Sequence, residues 1–160
     1  MLPEINTILY ASDISEGSRP AFRMAIQQAL RNDAQIVFLH AVEPVGDFLD
    51  DYLPNDANRK HTNQLMNSYK ERIEARIQSF LQVELDAGCE LPHEPIIKVL
   101  VGKPEKVILR AAQKIKASLI VMGDRESSTM SRLFLGSTAQ KVIHQSAAPV
   151  LIVPLKKGER

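Results

Sequence analysis

Short apolar runs of four to eight residues alternate along the chain with longer stretches whose apolar positions recur every three or four residues. The first pattern predicts buried strands and the second amphipathic helices, so the alternation reads as βαβ units around a mostly parallel sheet. Five strands are predicted, at Thr7–Ala11, Gln35–Val42, Ile96–Val101, residues 119–122 and residues 150–153. Between the first two, Ser18 is placed to cap a helix. Pro20 suits its first turn, and Phe22, Ile26 and Leu30 line one face. Residues 44–54 read as a loop from their Pro, Gly and Asp content, and residues 58–86 as a long helix with Leu65, Tyr69, Ile73, Ile77, Leu81 and Leu85 at fourfold spacing. Gly88 suits the C-terminal stop of that helix. Pro104 opens the next helix, with Val107, Ile108, Ala111, Ala112 and Ile115 on one face, and Ser137–Gln145 forms the last, with the amphipathic pattern Ala139, Val142 and Ile143.

The chain has no internal repeat, low-complexity tract or linker, and its 160 residues suit a single domain, 1–160, with a substantial core. Twenty basic and nineteen acidic residues leave a formal charge of +1, so no global field draws the chain to nucleic acid or an anionic membrane. No apolar run approaches the roughly 18 residues that span a bilayer, and MLPEINTILY lacks the basic start and apolar stretch of a signal peptide. Cys89 is the only cysteine, which excludes an internal disulfide and fits a reducing compartment. A cytoplasmic location is expected.

The run VMGDRESSTMSRLFLGSTAQKVI, residues 121–143, carries the most chemistry. A strand ends on Gly123, a Ser/Thr-rich loop follows, and Gly136-Ser137-Thr138 opens an amphipathic helix. Glycine allows close backbone approach, the two hydroxyls offer hydrogen bonds, and the free N–H groups of a helix N-terminus attract anions, so the turn suits a phosphate. Gly-Ser also serves as an ordinary N-cap. The spacing Gly123-x-x-Glu126-x9-Gly136-Ser137 resembles the G-x-x-G-x9-G-[ST] nucleotide motif of the universal stress protein family, with Glu126 in place of the second glycine. ILYASDISEGS at 8–18, IVFLHAVEP at 36–44, residues 101–123 and PVLIVP at 149–154 extend the likeness over nearly all of the chain except 45–95.

The resemblance implies a Rossmann-like open sheet of five parallel strands, order 3-2-1-4-5, with helices on both faces. It brings the end of the first strand beside the end of the fourth, where such sheets bind ligands. Carried over residue by residue, it implies that Asp13 contacts the nucleoside, that Ala41 stands where valine commonly touches adenine, and that Met122 and Gly123 line adenosine and phosphates. Gly136, Ser137 and Thr138 then form the phosphate cradle. Read as ordinary structure, Asp13 is a cap or turn residue and Met122 is core. Glu126 introduces a negative charge beside the expected phosphates, which Arg125 and Arg132 are placed to offset by pairing with phosphate or with Glu126. Both arginines equally fit a solvated surface.

No G-x-G-x-x-G, G-x-x-x-x-G-K-[ST], G-x-S-x-G or H-E-x-x-H motif is present. His40 ends a buried strand and reads as a structural residue, while His61, His93 and His144 lack metal-ligand spacing. The resemblance therefore implies an ATP-binding sensor or regulatory module of the stress response, with AMP or Mg2+ also admissible and at most slow ATP hydrolysis. The alternative is a nucleotide-independent interaction protein with a degenerate site, and a related-fold flavoprotein or nucleotide-transforming enzyme is a third class. The family also implies a homodimer through the terminal strand, Val150 to Val153, and an unidentified protein partner.

Overall fold

The computed structural model describes residues 1–12, 18–43, 56–85, 90–124 and 135–155; of the helix at 56–84 it describes the side chains of residue 64 and of 67–84. The Val/Ile/Leu-rich runs pair into one sheet of five parallel strands: β1 (Thr7–Ala11), β2 (Gln35–Val42), β3 (Ile96–Val101), β4 (Leu119–Asp124) and β5 (Val150–Pro154). Their order is β3-β2-β1-β4-β5. The helices between them are α1 (Arg19–Asn32), α2 (Asp56–Glu84), α3 (Pro104–Lys114) and α4 (Ser137–Gln145).

Because successive strand residues point to opposite faces, one run of sequence builds two cores. Ile8, Tyr10, Ile36, Phe38, Leu119 and Val121 pack with α1 and α2 on one face, through Phe22, Ile26, Ile73 and Ile77. Leu9, Val37, Leu39, Ile120 and Met122 pack on the other face with Val107, Ile108, Ala111 and Ala112 of α3 and Ala139 and Val142 of α4. The chain thus winds one way from β1 to β3 with its crossovers on the first face, then returns past β1 to β4 and β5 with its crossovers on the second. Strand order reverses between β1 and β4, whose ends meet in register at Ala11 and Met122.

The strands fall where the apolar runs predict them, with β4 extended to Asp124 and β5 to Pro154. The helices differ more. Ser18 is the N-cap of α1 but makes no side-chain cap hydrogen bond. Leu30 and Ile143, both expected on apolar faces, are exposed. Among the described side chains of α2, the fourfold apolar series is buried at Ile73, Ile77 and Leu81, whereas residues 67–72 are exposed, Tyr69 included. Length explains this: 29 residues make a helix about 43 Å long, while strands of five to eight residues run about 17–27 Å, so roughly half of α2 overhangs the sheet. Gly102 hands β3 on to α3 at φ +149, where a Cβ would also stand 2.9 Å from Val107 Cγ2, so both backbone and packing require glycine there. The predicted loop at 44–54 and the stop at Gly88 lie outside the described residues.

Candidate cleft at the switch point

Where strand order reverses, the ends of β1, β2 and β4 and the heads of α3 and α4 enclose a cavity of about 490 Å³. That volume falls in the range of small-ligand sites, about 300–1,000 Å³. Ala41, Met122, Gly123, Gly136, Ser137 and Thr138, all expected at the site, line it together. Asp13, Arg125, Glu126 and Arg132 lie outside the described residues.

The head of α4 forms one wall. Gly136 is its N-cap, at φ −55 and ψ 152, with no side-chain cap bond, so Ser137 is the first helical residue and not a hydroxyl cap. The Gly136 carbonyl accepts the Gln140 N–H at 3.0 Å, and the Leu135 carbonyl accepts Gln140 Nε2 at 3.0 Å, which fixes the turn. The Gly136 N–H donates to Asp124 Oδ1 at 3.3 Å. No intrahelical acceptor exists for the N–H groups of the first turn, from Ser137 onward, and they face the direction from which an anion approaches a helix head.

The two glycines of the motif differ in what they serve. At Gly123 an added Cβ would come 2.5 Å from Leu155 Cδ1 and 2.9 Å from its Cγ, so a larger residue there would have to displace the Leu155 side chain of the segment after β5. At Gly136 an added Cβ meets nothing within 4 Å, and the φ is one any residue adopts. Among the described residues nothing therefore demands glycine at 136. Met122 satisfies both of its readings, being 5% exposed within the α3/α4 core while its remaining surface lines the cavity.

On the β2 side, the Ser12 N–H donates to the Leu39 carbonyl at 2.9 Å, and His40 Nδ1 lies 2.9 Å from the Ser12 carbonyl. A carbonyl only accepts, so Nδ1 carries the hydrogen, which makes Nε2 of the neutral ring an acceptor. His40 is thus structurally partnered, as its strand position suggests, yet it also lines the cavity. Among the described residues, those lining the cavity include one carboxylate, Glu43, and neither lysine nor arginine. Lys141, one turn into α4, pairs at 3.3 Å with Glu105 of α3 and ties the two walls together. Glu105 is held below the usual carboxylate range, first by its own backbone N–H in the first turn of α3 and then by Lys141.

Sequence reasoning did not single out Ser12, Glu43, Asp124 or Leu155 for the site. Asp124 and Leu155 reach it through tertiary contacts, to Gly136 and Gly123 respectively, that no local pattern encodes. For Ser12 the available signal was its place at the end of β1, beside the switch point.

Five parallel strands wound in both directions, with an open cavity at the reversal and a helix head in its wall, define a doubly wound α/β protein with a cleft at its switch point, the place where such sheets bind ligands. The sequence matches the model of the Universal stress protein family over residues 4–154, and the chain belongs to that family. It is 36% identical over 147 residues to a universal stress protein of Thermus aquaticus, covering 92% of this chain and 97% of that one. The fold is similar to that of the universal stress protein UspA of Lactobacillus plantarum, with a TM-score of 0.69 and 22% identity over 94% of this chain and 98% of the other. It is likewise similar to a universal stress protein whose crystal structure is in complex with cAMP, with a TM-score of 0.63 and 22% identity over 96% and 99% of the two chains. No helix among the described residues is long and apolar enough to cross a membrane.

Proposed function

We propose that the protein is a cytoplasmic regulatory module of the stress response that binds an adenine nucleotide in the switch-point cleft, with adenosine toward Ala41 and Met122 and phosphate at the head of α4. ATP and AMP both belong to the ligand class. The observation that carries the reading is Gly136, a glycine that neither backbone conformation nor packing among the described residues requires, set where a side chain would intrude between helix head and ligand. The cAMP held by a protein of similar fold supports it. The module is proposed to act by binding and not as a fast enzyme, in keeping with a sequence that has no G-x-S-x-G, G-x-x-x-x-G-K-[ST] or H-E-x-x-H motif. Mass spectrometry of small molecules released from the purified protein tests this, together with calorimetric titration. A retained adenine nucleotide or a saturable titration is expected. Absence of both, with ATP, AMP and cAMP each tried at millimolar concentration, would leave the nucleotide-independent reading in its place.

The protein is further proposed to be a homodimer. β5 is an edge strand, and its Val150, Leu151 and Ile152 are only partly covered, while Pro149 and Pro154 bracket the backbone free to pair with a second copy. Sedimentation at micromolar concentration should give a dimer, and Ile152→Glu should give a folded monomer with an unchanged far-UV circular dichroism spectrum. A wild-type monomer, or a variant that dimerises as the wild type does, would refute the β5 interface.

A further inference from the structure

An anion already stands at the edge of the cleft, hydrogen-bonded to a lining residue although it does not itself line the cavity. Asp124 closes β4, is half-buried opposite Pro154 of β5, and reaches across twelve residues of sequence to take the Gly136 N–H at the head of α4. Among the described residues no cation pairs with it. The helix head, whose partial positive charge makes it attractive to phosphate, is therefore partly satisfied by a carboxylate before any ligand arrives. A phosphate bound by the adjoining N–H groups of Ser137 and Thr138 must settle beside that carboxylate, in a cavity whose described lining adds Glu43 and no lysine or arginine. Repulsion between like charges grows with the charge brought in. It vanishes for a nucleoside, acts on one charge for a cyclic or diester phosphate, and is largest for a triphosphate.

We infer that Asp124 is a specificity-determining residue that makes this cleft select adenine ligands carrying at most one phosphate charge over ATP. The inference rests on the adenine-nucleotide reading of the cleft and narrows it. Asp124 does this by holding the anion position at the helix head, and the same hydrogen bond keeps the end of β4 and the start of α4 together. The two roles are separable in the side chain: Asn retains an oxygen for the Gly136 N–H and loses the charge.

Affinities of the wild type, Asp124→Asn and Asp124→Ser for adenosine, cAMP and ATP, measured without divalent metal at low ionic strength, test the inference. The wild type should bind cAMP at least tenfold more tightly than ATP. In both variants the affinity of ATP relative to adenosine should rise at least tenfold, that of cAMP by less, and the gain should shrink in high salt as screening takes over. The two substitutions share only the loss of charge, so agreement between them separates electrostatics from a disturbed turn. An unchanged ATP-to-adenosine ratio, in proteins that do bind adenosine, would reduce Asp124 to a structural pin and overturn the inference. Binding of none of the three ligands to any of the proteins would remove the nucleotide reading itself, and the selectivity with it.

Discussion

Replacing Gly136 by Val is expected to weaken adenine-nucleotide binding at least 100-fold while leaving the protein folded. The backbone there is extended at φ −55, open to any residue, and an added Cβ finds nothing within 4 Å. The cost in stability is then that of exchanging a tolerated glycine N-cap for an apolar one, about 1 kcal/mol. The same side chain stands at the head of α4 in the wall of the cleft, where backbone N–H groups must come within hydrogen-bond distance of a phosphate. Losing that approach by a factor of 100 corresponds to about 2.8 kcal/mol. Calorimetric titration paired with a thermal melt separates the two effects. A Val variant that binds as the wild type does would place the ligand away from the helix head.

The largest expected effect on stability lies under the opposite face. Phe38 is 0% exposed and sits in a ring cluster, 5.8 Å from Tyr10 edge-to-face and 5.5 Å from Phe22 stacked, with Phe80 of α2 a further 5.7 Å from Phe22. Phe38→Ala removes the ring that joins β1, β2 and α1. The void left among rigid rings cannot collapse easily, so a loss of about 3–5 kcal/mol is expected. Against a total stability of about 5–15 kcal/mol for a domain, this removes at least about a fifth, and in a marginal domain nearly all of it. Denaturant titration measures it. A loss below about 1 kcal/mol would mean that the neighbouring helices close over the gap, contrary to the close packing of this core.

The strands were legible because strands of a parallel sheet read as continuous apolar runs, bounded here by polar and turn residues: Thr7–Ala11 and Gln35–Val42 form as the pattern predicts, and so does Ile96–Val101, although as an edge strand it buries none of its residues fully. Helix faces were less so. Periodicity says which side of a helix is apolar but not how far the sheet beneath it extends, and so Tyr69 and Ile143 are exposed on helices whose pattern would bury them. In the cleft, motif spacing pointed to Gly136, Ser137, Thr138, Met122 and Ala41, and these residues do converge on one cavity. It could not distinguish the two glycines. Gly123 is closely covered by the Leu155 side chain, a neighbour only because β4 and β5 lie side by side, whereas Gly136 borders open space among the described residues. The sequence drew attention to Glu126 as the charge opposing phosphate, a residue outside those described; among the described residues the carboxylate that reaches the helix head is Asp124, two residues earlier, by a hydrogen bond that exists only once β4 and α4 are docked.

Amide chemical-shift titration of the 160-residue chain, with cAMP and separately with ATP, tests most directly whether the switch-point cleft holds an adenine nucleotide. The largest changes are predicted at Ala11, Ala41, Met122, Ser137 and Thr138, which line one cavity although they lie far apart in sequence. Saturation that leaves these amides unmoved, or shifts centred on the exposed stretch 67–72 of α2, would contradict it.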